Sequence, residues 1–198
     1  VEGAVSARVA LVPILALVAS ACAVDEVVVA TIATDGGDAA VGGCKTNDDC
    51  DVTDFCARAS CGDPTGVCTA RKVLCDPGFA PSCGCDGVTY WNDCLRSRSG
   101  ASASTPGECT TNVAKCNEPT ASACPLPSGV ASCARLLFPG AMCSPTISGR
   151  CWVLPGDCAM AGGPPDRWEQ CGTRMCQPTC DAIRSGIPHR PERPGVCM

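Results

Sequence analysis

The sequence predicts a small disulfide-rich fold, a short β-hairpin plus one short α-helix with loop-rich, cysteine-stapled flanks. Three observations carry that expectation. The chain of 198 residues contains 21 cysteines, well inside the range of disulfide scaffolds. It has seven aromatic residues (three Phe, one Tyr, three Trp), too few for a large core, so covalent staples have to replace buried area. Its 21 glycines and 17 prolines are spread throughout, and past residue 43 no long stretch keeps a helical or strand period.

The N-terminus reads as an export signal over residues 1–21. Arg8 precedes the apolar run Val9 to Ala19, which is followed by small residues, the order of a secretory signal peptide. Eleven apolar residues are too few to span a bilayer, and Pro13 argues against a buried helix. Ala19-Ser20-Ala21 fits an ordinary small-x-small cleavage site. The same residues before Cys22 resemble the lipobox of bacterial lipoproteins, with Ala19 where that motif prefers Leu. The resemblance implies cleavage after Ala21, lipidation of Cys22 and anchoring to the membrane of the cell envelope, which several acyl chains would make stable. Residues 22–43, acidic at first and then Gly/Ala-rich, read as a tether of about 25 Å root-mean-square reach.

Cytosolic thiols are kept reduced, so this many cysteines independently implies an oxidising compartment. A net charge of −5 with scattered Arg and Lys argues against a nucleic-acid partner. After Cys22 the remaining cysteines divide into two sets of ten, Cys44 to Cys109 and Cys116 to Cys197, that align one to one. The text around them agrees. Gly-Val-Cys ending at Cys68 answers Gly-Arg-Cys ending at Cys151. Arg98-Ser99-Gly100 stands after Cys94 as Arg184-Ser185-Gly186 stands after Cys180, and both sets close on Gly-x-Cys, at Cys109 and Cys197. Residues 110–198 therefore read as a diverged repeat of 44–109. Twenty cysteines then pair within the halves, which leaves Cys22 over and favours its lipidation.

The hairpin is placed by Asp86-Gly87, a turn signal between strand-forming flanks, so Ser82 to Trp91 should form it. Asn92 or Asp93 then caps a helix over Cys94 to Ser99, with Gly100 at its C′ position and Arg96 and Arg98 near its C-terminus.

These residues resemble a Kazal-type domain, the fold of many serine protease inhibitors and of follistatin-like extracellular modules. The matching features are seven residues between Cys75 and Cys83, ten between Cys83 and Cys94, Asp86-Gly87, Thr89-Tyr90, Asn92 and Gly107-x-Cys109. The resemblance spans 68–109 with Cys68 as the first cysteine, leaving 44–67 as a cysteine-rich lead segment. It implies bridges Cys75–Cys94 and Cys83–Cys109. The family's fifth cysteine is missing after Cys94, and Cys85 is additional, so a rewired Cys68–Cys85 bridge is expected. It further implies an inhibitory loop of Asp76, Pro77, Gly78 and Phe79, a scissile bond at Pro77-Gly78, and bracing of the loop by Asn92. Pro77 has a fixed φ and little reach into a specificity pocket. In the second half the corresponding residue is Met160, whose flexible apolar side chain is better bait for a chymotrypsin-, elastase- or subtilisin-like pocket.

Other chemistries are less well supported. Cys83-Gly84-Cys85 could be half of a metal site, but one histidine and twenty evenly divided cysteines favour disulfides. His189, in a proline-broken loop, reads as solvated and without a catalytic partner. The cysteines from Cys171 to Cys180 read as structural, and Trp152 and Trp168 as core anchors. No cofactor, no metal and no enzymatic activity are expected. The sequence thus points to a secreted or surface-tethered serine protease inhibitor acting on an extracellular protease. The alternative is a non-inhibitory module on a Kazal/follistatin-like scaffold that binds another secreted or surface protein. A thiol-rich metal buffer is a third, distant reading.

Overall fold

The computed structural model describes residues 43–116, 124, 126, 131–161 and 166–196. The expected leader, Cys22 and Cys197 lie outside the described residues. The chain opens with a 3-10 turn at Asn47–Asp49, set by Asp49 Oδ2 accepting from the backbone N–H groups of Lys45 (2.7 Å) and Thr46 (2.8 Å). Strands β1 (Asp54–Ala57) and β2 (Val67–Ala70) follow as an antiparallel hairpin. Next come β3 (Ser82–Gly84), β4 (Thr89–Tyr90), helix α1 (Asp93–Ser99) and β5 (Ala103–Pro106), which returns to pair with β3. The second half supplies β6 (Lys115–Cys116), β7 (Ala131–Ala134) and β8 (Gly149–Val153). It ends with β9 (Arg167–Gln170), β10 (Cys176–Pro178), helix α2 (Thr179–Ser185) and β11 (His189–Pro191).

Nine disulfides join described cysteines, and Cys176 is also disulfide-bonded. Their order repeats in part, since the fourth cysteine of the first half is bridged to the eighth (Cys61–Cys85) and that of the second half to the seventh (Cys143–Cys171). In each half the first cysteine is bridged to the third and the second to the fifth: Cys44–Cys56 and Cys50–Cys68, then Cys116–Cys133 and Cys124–Cys151. Cys56 lies opposite Cys68 across β1 and β2, as Cys133 lies opposite Cys151 across β7 and β8. Cys44 pairs across Gly66 and Cys116 across Gly149. The geometry explains why both segments read Gly-x-Cys. A Cβ on Gly66 would stand 2.6 Å from the Ala57 carbonyl oxygen and 2.9 Å from Cys56 Sγ. On Gly149 it would stand 2.8 Å from the Ala134 oxygen and 2.5 Å from Cys133 Sγ.

The expected hairpin and helix form where the local chemistry places them. Asp86 Oδ1 accepts from Val88 N (3.1 Å) and Oδ2 from the Tyr90 hydroxyl (2.5 Å), while Gly87 takes a left-handed φ of 76°. Asn92 caps α1 through Oδ1, which accepts from Leu95 N (3.0 Å), and Gly100 ends it at φ 76°. The arrangement recurs as β9, β10 and α2, closed by Gly186 at φ 65°, with β11 returning beside β9 as β5 returns beside β3. Cys94 and Cys180 each occupy the second position of their helix and tie it to the segment before the hairpin, through Cys75 and Cys158.

The expected Cys68–Cys85 bridge does not form. Pairing of β2 with β1 holds Cys68 beside Cys50, at a Cα separation of 5.5 Å, whereas Cys85 meets Cys61 at 5.2 Å. The Cys68 sulfur is committed to Cys50, at the end of the 3-10 turn that precedes its hairpin. The covalent tie from the hairpin–helix unit therefore runs back to Cys61, inside the lead segment.

The halves are not separate bodies. β4 runs parallel to β8, with Thr89 beside Trp152 and Tyr90 beside Val153, and Trp91 N donates to the Val153 carbonyl (2.9 Å). The result is a six-stranded sheet in the order β5-β3-β4-β8-β6, with β7 also on β8. Val88, Tyr90, Trp91 and Leu95 share one core with Cys151, Trp152, Val153 and Ile183. Trp152 is thus a core anchor, its ring 6.3 Å from that of Trp91; Trp168 is half-buried.

Gly66→Ala and Gly149→Ala should each destabilise the oxidised protein by about 1–3 kcal/mol, the usual cost of forcing atoms into a packed site. Gly62→Ala, whose Cβ meets nothing within 4 Å, should stay within about 0.5 kcal/mol. Denaturant unfolding of the three variants decides it.

Candidate functional site: the loop after Cys75

The loop from Cys75 to Cys83 is held at both ends by sulfur, through Cys75–Cys94 to α1 and Cys83–Cys109 to the segment after β5. Between them the backbone is fixed by side chains from the end of the hairpin. Asn92 Nδ2 donates to the carbonyls of Asp76 (2.8 Å) and Gly78 (2.9 Å), while its Oδ1 caps the helix. One amide group therefore registers the loop against the helix N-terminus. Asp76 Oδ1 accepts from Gly78 N (2.6 Å), closing a tight turn over Pro77.

The carbonyl of Pro77 is also occupied. Trp91 Nε1 donates to it at 2.9 Å, and Phe79 packs edge-on against the same indole, ring centroids 4.5 Å apart. Trp91 is itself 0% exposed, wedged between this loop and Trp152. Three successive carbonyls, from Asp76 to Gly78, thus point to protein donors. Asp76 and Ala80 face solvent in the loop, as does the apolar pair Val73 and Leu74 just before Cys75, 79% and 90% exposed.

Met160 sits differently. It is 70% exposed in a turn closed by Ala161 N donating to the Cys158 carbonyl (3.1 Å). The residue at the Asn92 position is Pro178, the N-cap of α2, which has no side-chain amide to brace a loop. Folding therefore brings Asp76, Pro77, Gly78, Phe79 and Asn92 together and leaves Met160 on another turn.

Sequence reasoning passed over Trp91, although an aromatic beside a capping Asn was a usable signal. It also passed over a buried ion cluster. Glu169 is 0% exposed and held bidentately by two arginines. Arg190 donates through Nε (3.0 Å) and Nη2 (2.7 Å), and Arg193 through Nε (3.0 Å) and Nη2 (2.8 Å). Arg190 first, then Arg193, hold its carboxyl down to about 2 against the opposing effect of burial. His189, expected to be solvated, is 0% exposed, because β11 is inserted between β9 and residues 135–137.

The sulfurs of Cys44, Cys50 and Cys68, and those of Cys116, Cys124 and Cys151, gather within 4.8 Å of one another. All six are tied in disulfides, so neither group offers the thiolates a metal needs. Disulfides in this number belong to an oxidising environment, and no helix among the described residues is long and apolar enough to cross a membrane. No protein family, curated protein or solved structure matches this chain.

Asn92→Ala should cost on the order of 2–3 kcal/mol, combining a lost cap with two loop carbonyls left unpaired. Asn92→Asp keeps the cap acceptor but turns a carboxylate oxygen toward those carbonyls. It should leave the helical signal in circular dichroism intact while speeding proteolytic cleavage within residues 75–83; equal cleavage of wild type and Asn92→Asp would contradict the bracing geometry.

Proposed function

We propose that the chain is an extracellular protein-binding module on a Kazal-like scaffold, and that it engages its partner without inhibiting a serine protease at Pro77. The single observation that carries this reading is the hydrogen bond from Trp91 Nε1 to the Pro77 carbonyl. A substrate-like inhibitor must offer the carbonyl of its scissile bond to the protease's oxyanion donors. Here that oxygen is turned into the protein and already bonded. Phe79, the next side chain but one, is likewise held against Trp91 rather than free to enter a subsite.

The scaffold half of the resemblance is supported by the bridges Cys75–Cys94 and Cys83–Cys109, the Asp86-Gly87 turn and the two bonds from Asn92. The partner on this reading is another secreted or surface protein, contacted by the rigid turn at Asp76 and by Val73 and Leu74 beside it. Lipidation of Cys22 would hold the module at the cell envelope, and no catalytic activity is assigned to it. Inhibition through Met160 is the second reading, favoured by the exposure of that side chain at the tip of its turn.

The full-length oxidised protein should show no stoichiometric inhibition when titrated against subtilisin, chymotrypsin, elastase and trypsin. Tight one-to-one inhibition of any of the four would overturn the reading. Loss of that inhibition in Met160→Gly would assign it to the second half, and its persistence would return it to the loop at Pro77.

A further inference from the structure

The single histidine of the chain is buried with one ring nitrogen unpartnered. His189 opens β11, and both edges of the strand are used there. His189 N donates to the Arg135 carbonyl (2.9 Å), Leu137 N donates to the His189 carbonyl (2.8 Å), and on the other side β11 pairs with β9. The imidazole is fully buried. Its Nδ1 lies 2.7 Å from the Ile187 carbonyl, which makes Nδ1 the protonated nitrogen of the neutral ring, and its Nε2 is buried with no hydrogen-bond partner.

Charged side chains of both signs stand on the elements around it. Arg135 comes from the segment on one side, and Arg190, Glu192 and Arg193 from β11 and the residues after it. Arg167 and Glu169 come from β9, where the Glu169 carboxylate is already shared by Arg190 and Arg193. On α2, packed against β9, Arg184 is exposed and Asp181 half-buried. A proton on Nε2 would create a buried donor without an acceptor.

We propose that β11 is an acid-sensitive clasp: protonation of His189 loosens the pairing of residues 189–191 with β9 and with residues 135–137. The sign follows from burial, which lowers the pKa of His189 from the ordinary 6.5, with the Ile187 carbonyl opposing. The open strand then binds the proton more tightly than the closed one. Closure is strongest above pH 6.5 and weakens as pH falls through the native value. The Glu169 pair is a separate, more acidic event, since its stabilisation is lost only as pH falls from the usual carboxylate range toward about 2.

The test uses the full oxidised chain. The one imidazole is titrated by NMR, and exchange of the Leu137, His189 and Cys171 amides is followed from pH 7.5 to 4.5, corrected for intrinsic exchange. Cys171 N reports because it donates to the Pro188 carbonyl. Protection of these amides should fall by up to about tenfold per pH unit below 6.5 until the native imidazole titrates. The Trp91 amide, bonded to Val153, should show no such step. His189→Phe and His189→Gln, which cannot titrate, should abolish the step. Its survival in either folded variant, or a native imidazole titrating at or above 6.5, would overturn the proposal. If neither variant folds, the imidazole titration and the wild-type exchange profile decide between the same two outcomes.

Discussion

Loop closure by sulfur is the constraint on which the rest of this structure depends. With seven aromatics in 198 residues, apolar burial alone is a weak opponent of chain entropy. The bridges close segments of 12 to 28 residues, and in the chain-entropy account a loop of about 15 residues is worth about 3 kcal/mol. Placement matters as much as number. The two bridges at the start of each half pin a hairpin whose strands pass a bare glycine, Gly66 or Gly149, so a side chain at either point would press on a sulfur. Composition, disulfide order and hairpin geometry are therefore one constraint seen at three levels.

Two of the three tryptophans lie where the halves meet. Trp91 and Trp152 come from different halves and lie at the centre of one sheet, joined by the parallel pairing of β4 with β8. That junction reaches the candidate site directly, because the indole buried by Trp152 and Val153 is the one whose Nε1 holds the Pro77 carbonyl. The second half thus supports the loop conformation of the first, and a fragment ending at Cys109 would lack that support.

What could be read from the sequence was local. Asp86-Gly87, Asn92 and Gly100 act within a few residues of themselves, so the hairpin, cap and helix stop were legible. The pairing of Cys68 was not legible, since it depends on the register of β2 against β1 rather than on distance along the chain. His189 was misplaced for a similar reason. Its proline-rich surroundings read as open loop, but its burial is imposed by residues 135–137, far away in sequence. The Asn92 side chain could be placed from its family resemblance, whereas the Trp91 indole acts through a sheet that only the full fold assembles.

The two halves also show how one framework takes on different chemistry at matched positions. Ser82 in β3 and Glu169 in β9 lie opposite Tyr90 and Cys176 in their hairpins and opposite Pro106 and Arg190 in the returning strands. Ser82 makes a modest contact to Asp93 (3.3 Å), whereas Glu169 is an ion that requires two arginines. At the helix caps, Asn92 has an amide that reaches back to the loop, and Pro178 has none. The first half has therefore kept the parts that hold a loop rigid. The second has instead a buried carboxylate and histidine on a strand pair, where a change of protonation acts on pairing. The bridges Cys75–Cys94 and Cys158–Cys180 hold the two helices in the same way while the residues around them differ in polarity.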